Sequence, residues 1–332
     1  MVQLLEKREN GIEIYVMKND EAEVHILNYG ATILKFFTKD GQGQFDDIVL
    51  GYDRLEDYAN LDACLGATIG RVANRIKLGK FTINGVDYNV PINNGPNSLH
   101  GGIKGFAYQF FDTKIIDEDT LEMSYVSKDG EEGYPGTLTC KVTYELKGNI
   151  FKTSYFAQSD KDTLCNLTNH SYFNLAGAKE NVLNHTLQIH ADTFACVDSD
   201  GCTTGEFRNV KNSPFDFNEP KTIGSQIALE DEQLTLGTGF DHPFIFSKQE
   251  KQVTIAHENG RKLIVTTSYP LAQIYTANFL SEREGKYGLV YHERDAVCVE
   301  CQFLPDSIHL EENSPTLLRA GDVYEQFVTY EF

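Results

Sequence analysis

The sequence predicts an all-β protein made of many short antiparallel strands, and three observations carry that prediction. Runs rich in β-branched and aromatic residues recur along the chain, most of them close on Gly, Asn or Asp, and stretches with helical periodicity are few. In order, the strand-like runs are IEIYVMKND, AEVHILNYG, ATILKFFTKDG, TLEMSYVSKDG, TLTCKVTYELKG, IFKTSYFAQSD and KQVTIAHENG. YDRLEDYANL is expected to form a short surface helix, and ATIGRVANRI to turn helically for a couple of turns. Such texture belongs to an antiparallel sandwich or a barrel. No Pro/Ser-rich linker, low-complexity tract or repeat interrupts it, so a single domain over residues 1–332 is the simplest organisation.

Composition narrows the function. The chain has 332 residues, 41% hydrophobic and 23% charged, which is ordinary for a globular protein. With 49 acidic and 29 basic residues its formal charge is −20. That balance repels a phosphate backbone and anionic lipid, so neither nucleic acid nor membrane is an expected partner. No run of about 18 apolar residues occurs, and the first residues lack the apolar core of a signal peptide. A cytoplasmic protein is expected. Seven cysteines at scattered positions do not make a disulfide framework. Cys298 and Cys301 form a C-x-x-C, but strand alternation sends their sulfurs to opposite faces, so they read as buried small hydrophobes.

Four segments hold polar residues that packing alone would not select. LHGGIKGF places His100 at the start of a glycine-rich turn; the plain alternative is an exposed loop histidine. In LCNLTNHSYFNL, an extended chain puts Thr168, His170, Tyr172 and Asn174 on one face, with polar groups on the other face as well. Such a segment is either a polar edge strand or a site. GTGFDHPF sets Asp241 and His242 after a glycine turn, which is a weak signal by itself. In AVCVECQFLPD, Glu300 interrupts a run that otherwise reads as a buried strand, with Gln302 on its face. A buried carboxylate needs a partner or a raised pKa, so this position asks most for a function. Together these groups suit general acid–base chemistry without naming a substrate. The G-x-S-x-G, P-loop, H-E-x-x-H and dinucleotide fingerprints are missing.

In their order and content the motifs resemble those of the galactose mutarotase (aldose 1-epimerase) family. The matching pieces run nearly end to end: LGATIGRVANRI (65–76), NSLHGGIKGF (97–106), GYPG (133–136), TNHSYFNL (168–175), SPFDF (213–217), GFDHPF (239–244), QIYTANFL (273–280), VECQFLPDS (299–307) and LLRAGDVYEQFVTYEF (317–332). The resemblance implies a large antiparallel β-sandwich, the supersandwich of this family. It implies interconversion of the α and β anomers of free hexoses, galactose and glucose foremost, with no cofactor and no catalytic metal. It assigns Glu300 as general base, His170 as general acid and His100 as an assistant near the ring oxygen. Asn74, Arg75, Asp241 and Gln273 would hold sugar hydroxyls. Tyr172, on the His170 face, is a candidate for stacking on the sugar. Arg71 is expected to be a buried strut to a carboxylate.

Some positions depart from the family pattern: Pro305-Asp306-Ser307-Ile308-His309 stands near the end, Cys298-Val299 precedes Glu300, and SYPLA precedes Gln273. None removes a presumed catalytic group. The role pair requires His170 protonated and Glu300 ionised, hence a histidine pKa held up by nearby carboxylates and a bell-shaped pH profile. Two other readings use the same fold: a non-catalytic sugar-binding protein, or an epimerase of hexose 6-phosphates, which would want a basic cluster. The substrate partner is a monosaccharide, and either a monomer or a homodimer is compatible with the sequence.

Overall fold

Alternation of buried and solvated side chains explains the largest sheet. In Leu138–Lys147, residues Leu138, Cys140, Val142, Tyr144 and Leu146 point inward while their neighbours face out. Its hairpin partner Ile150–Ser159 does the same with Phe151, Tyr155 and Ala157, in register from Lys147↔Ile150 to Leu138↔Ser159. The computed structural model, which describes residues 1–60 and 63–332, builds these into a nine-stranded sheet that runs from Asp112–Ile115 to Lys221–Thr222. A six-stranded sheet faces it, in the order Tyr172–Phe173, Val297–Gln302, Leu271–Tyr275, Asp241–Phe246, Ala191–Val197 and Thr203–Asn209. All these pairings are antiparallel. A five-stranded meander covers residues 2–47. The inner faces of the two large sheets share one core, in which Val142, Tyr155 and Val265 meet Phe244, Ile274 and Val299. The predicted all-β sandwich is therefore the observed architecture, and no helix among the described residues is long and apolar enough to cross a membrane.

Two helical expectations come out differently. Within YDRLEDYANL only Asp57–Asn60 is helical, and Leu61 lies outside the described residues. ATIGRVANRI is not helical at all: Thr68–Ile69 pairs with Thr168–Asn169, and Arg75–Ile76 pairs with Ser98–Leu99. Residues 67–74 are all buried, so no solvated face is left to impose strand alternation on the segment. Arg71, in the middle, is 2% exposed. Its guanidinium donates to the carbonyls of Ser127, Lys128 and Pro135 and to the hydroxyls of Ser127 and Thr163. It is a strut, as expected, but its partners are carbonyls and hydroxyls and not a carboxylate.

A buried ion pair ties the meander to the 276–291 segment. Lys286 Nζ lies 2.5 Å from Asp47 Oδ2 and 2.8 Å from the Leu34 carbonyl, with both charged side chains buried. Asp47 also accepts from Tyr287 Oη and from the Phe36 amide. Removing the carboxylate strands an ammonium ion in the core, so Asp47→Ala is expected to lose about 3–5 kcal/mol of stability. Urea denaturation checks this, and a loss below about 1 kcal/mol, the range of exposed pairs, would mean the pair does not anchor the segment.

Candidate active site

The strand Val297–Gln302 is buried on both faces. Val297, Val299 and Cys301 pack into the sandwich core, and Cys298 belongs to a second cluster on the opposite side. The two cysteines of the C-x-x-C thus point apart, as alternation requires. Glu300 shares the Cys298 face and lines a cleft of about 230 Å³ together with Asn74, Arg75, His100, His170, Tyr172 and Asp241. Seven of the eight residues singled out in the sequence therefore line one cavity. The eighth, Gln273, is the cross-strand partner of Glu300 and lies behind the lining, where its Nε2 donates to Asp241 Oδ1 at 2.6 Å.

The segment around His170 is not the continuous strand that its alternation suggested. It breaks into Thr168–Asn169 and Tyr172–Phe173, which join different sheets, and residues 163–176 are all buried. His170 sits at the break, its carbonyl accepting from Gly66 N and its amide donating to Ala67 O. Both faces are polar because both are enclosed by other segments. His170 and Tyr172 still project together, their rings stacked at 4.9 Å and 14°. Tyr172 therefore gives one ring face to the histidine while it lines the cleft.

His100 is held by a reciprocal pair of bonds. Its amide donates to the Asn74 carbonyl at 3.0 Å, and the Asn74 amide donates to His100 Nδ1 at 3.1 Å. Asn74 and His100 both have positive φ, 63° and 53°, which Asn and His tolerate better than most residues. The glycine after His100 is needed for close approach: a Cβ on Gly101 would lie 2.0 Å from the Gly70 carbonyl oxygen. Because Nδ1 accepts, Nε2 carries the hydrogen. His100 is a neutral donor, and burial with His170 nearby holds its pKa well below the usual imidazole value. Its ring meets that of His170 edge-on at 5.2 Å.

Ligand atoms of His100, His170 and Glu300 all lie within 4.8 Å of one another, a spacing that invites a metal ion. The donor set does not suit one. With Nδ1 of His100 already accepting a hydrogen bond, its Nε2 has no lone pair to give.

Arg75 Nε donates to Asn94 Oδ1 at 3.0 Å, and Asn74 Oδ1 accepts from the Arg75 amide at 2.8 Å. With that oxygen committed, the amide nitrogen is what Asn74 can offer a ligand. A Cβ on Gly201 would sit 2.7 Å from Arg75 Cζ, so a glycine there leaves room for the guanidinium plane. His242, next to Asp241, is structural: its Nδ1 accepts from the Asp241 amide and its ring lies edge-on to Phe194 and Phe215. Burial drops its pKa to about 3.

The electrostatics revise one expectation. His170 Nε2 and Glu300 Oε1 are 3.6 Å apart, close enough for an ion pair by distance but beyond a good hydrogen bond. Burial pulls His170 down to about 4, only partly offset by a bond to its own main chain. Burial, and then the Asp241 carboxylate, push Glu300 well above the ordinary carboxylate range, with Arg75 working the other way. Desolvation disfavours the charged form of both groups, drawing the imidazole down and pushing the carboxyl up. The histidine is not held up by its carboxylate neighbours, as the sequence led one to expect.

Sequence reasoning gave no role to Asn94, Tyr275, Phe279, Leu280 and Arg283, which also line the cleft. Asn94 lies in the turn NNGPN and reads as turn chemistry; the other four come from or just after the QIYTANFL motif, whose only assigned residue was Gln273.

Comparison with known proteins gives the family. Residues 13–331 match the family model described as aldose 1-epimerase. The chain is 40% identical to a galactose mutarotase of Bos taurus over 327 residues, covering 97% of this chain and 94% of that protein. It is 34% identical to an aldose 1-epimerase of Escherichia coli K12, covering 93% and 91% of the two. Among solved structures, a galactose 1-epimerase from Lactobacillus acidophilus superimposes with a TM-score of 0.88 at 29% identity, over 100% of this chain and 97% of that one. A GalM/aldose epimerase homologue from C. elegans gives 0.89 at 30% identity, over 99% and 98%. With its cleft, its buried carboxylate–imidazole pair and these matches over nearly its whole length, the chain belongs to the aldose 1-epimerase family.

Proposed function

We propose that this protein is a mutarotase that interconverts the α and β anomers of free hexoses, galactose and glucose foremost, in the cleft floored by Glu300 and His170. The observation that carries the reading is the pair itself: an acid and a base 3.6 Å apart, buried together at the bottom of a cleft sized for a single sugar ring. A protein that only bound sugar would have no use for burying both groups.

Ring opening moves one proton off the C1 hydroxyl and another onto the ring oxygen. Glu300 in its ionised form accepts the first, and protonated His170 delivers the second. The open-chain aldehyde then faces Glu300 as the acid and neutral His170 as the base. Rotation about C1–C2 presents the other carbonyl face. Return of the proton from Glu300 to the carbonyl oxygen, with His170 taking the proton of the C5 hydroxyl, closes the ring as the other anomer. The pair carries one proton throughout, so no net charge enters or leaves the buried site. His100, a fixed neutral donor, supports the ring oxygen without titrating. Asp241, Arg75 and Asn74 hold hydroxyls, and Gln273 positions Asp241.

The reading extends to a single domain spanning 1–332, working in the cytoplasm on galactose destined for breakdown, as a monomer or homodimer, with the monosaccharide as partner. The acidic charge supports the absence of nucleic-acid partners. Optical rotation of freshly dissolved α-D-galactose, followed with and without protein, tests the activity. Decay well above the spontaneous rate is the expected result, and a folded sample that gives no acceleration with either galactose or glucose would overturn the proposal.

A further inference from the structure

Phe279 is the odd residue of the cleft. It is 63% exposed, whereas its neighbours Thr276, Ala277, Asn278 and Leu280 are almost completely buried. The turn that presents it is held from below. Asn278 Nδ2 donates to the carbonyls of Gly237 and Phe240, its Oδ1 accepts from Thr276 Oγ1 and from Arg294, and the Phe279 amide donates to Tyr275 Oη at 3.1 Å. A turn anchored this firmly could have tucked a phenylalanine into the core, where burying its apolar surface would stabilise the protein. Instead the ring is set on the cleft rim.

It also completes a row of rings. His170 stacks on Tyr172 at 4.9 Å, Tyr275 meets both edge-on at 6.2 and 6.0 Å, and Phe279 lies 24° from parallel to Tyr275 at 6.3 Å. The chain has no tryptophan, and Tyr172 already spends a face on His170. Among these rings Phe279 is the exposed one.

We infer that Phe279 is the platform on which the sugar's C–H face rests, and that it biases the enzyme toward galactose over glucose. The inference rests on the mutarotase reading of the cleft. The axial 4-hydroxyl of galactose leaves the hydrogens of C3, C4 and C5 together on one face, an apolar patch that a flat ring covers. In glucose the C4 hydrogen points to the other face and the patch is broken. The patch excludes C1, so one platform serves both anomers, as a mutarotase requires. Aromatic rings favour such partly positive C–H edges over their faces.

The test is a steady-state comparison of wild type, Phe279→Ala and Phe279→Tyr with both sugars. Phe279→Ala is expected to raise KM for galactose about tenfold, equivalent to about 1.4 kcal/mol, with kcat within about twofold. Its KM for glucose rises less, so the ratio of kcat/KM between the two sugars falls. Phe279→Tyr retains the wild-type values. An unchanged KM in Phe279→Ala, or an equal loss in Phe279→Tyr, overturns the inference while leaving the mutarotase reading intact. An inactive wild type overturns that reading itself.

Discussion

Replacing Glu300 with glutamine is expected to lower kcat for anomer interconversion by about two to four decades, the usual contribution of a positioned proton-transfer group. The substitution isolates the chemistry from the packing. Glutamine has the shape of glutamic acid, and the side chain lies on a central strand, 2% exposed, between Gln273 and the cleft. Burial disfavours a charge at this position, and an amide of the same shape carries none, so the melting temperature should hardly move. What disappears is the ability to take the proton from the C1 hydroxyl. A folded Glu300→Gln protein that keeps more than about a tenth of wild-type kcat would remove the base from the mechanism.

His170→Asn is expected to cost a similar two to four decades, and it carries a second signature in the pH profile. Activity needs one proton on the pair. The acid limb marks the addition of a second proton, to a histidine whose pKa burial has drawn down to about 4. The alkaline limb marks loss of the remaining proton, set by a glutamic acid pushed well above the ordinary carboxylate range. Both limits belong to the pair and not to either residue alone. In wild type, kcat/KM should therefore fall toward acid around the lowered histidine value, below the ordinary imidazole range, and fall again toward alkali as the last proton leaves the pair. In His170→Asn only Glu300 is left to titrate, so the residual activity should fall toward acid at a higher pH than in wild type, where the raised carboxyl takes up its proton. A wild-type limb centred near 6.5, the ordinary imidazole value, would show that the histidine is solvated in the working enzyme and that desolvation does not set its state.

The fold class was legible because alternation in strands such as Leu138–Lys147 is imposed by a core on one side and solvent on the other. It failed where that asymmetry fails. ATIGRVANRI and TNHSYFNL are enclosed on both sides, so period-2 patterning vanishes and the chain breaks into two-residue strands where a helix or one continuous strand was expected. Glu300 was visible because a carboxylate within an apolar strand costs several kcal/mol to bury unless it is paired or protonated. Asn74, Arg75, Asp241 and Gln273 came from motif resemblance. The local sequence carried no sign that Gln273 would lie behind Asp241 and out of the cleft lining, since that depends on the register of three strands. Phe279 was invisible for the opposite reason: an aromatic residue beside Leu280 reads as core, and only the buried polar turn beneath it puts the ring outside. The pull of burial on the pair was not legible, because residue types indicate attraction, whereas the depth of burial is set by the fold.

The most direct test of the shared proton is magnetisation exchange between the two anomeric H1 signals of galactose at equilibrium, measured for wild type, Glu300→Gln, His170→Asn and the double variant. If one proton passes between the two groups, they act as a unit and the double variant should be no slower than the slower single variant. Losses that multiply in the double variant would mean that Glu300 and His170 act independently, and would contradict the account.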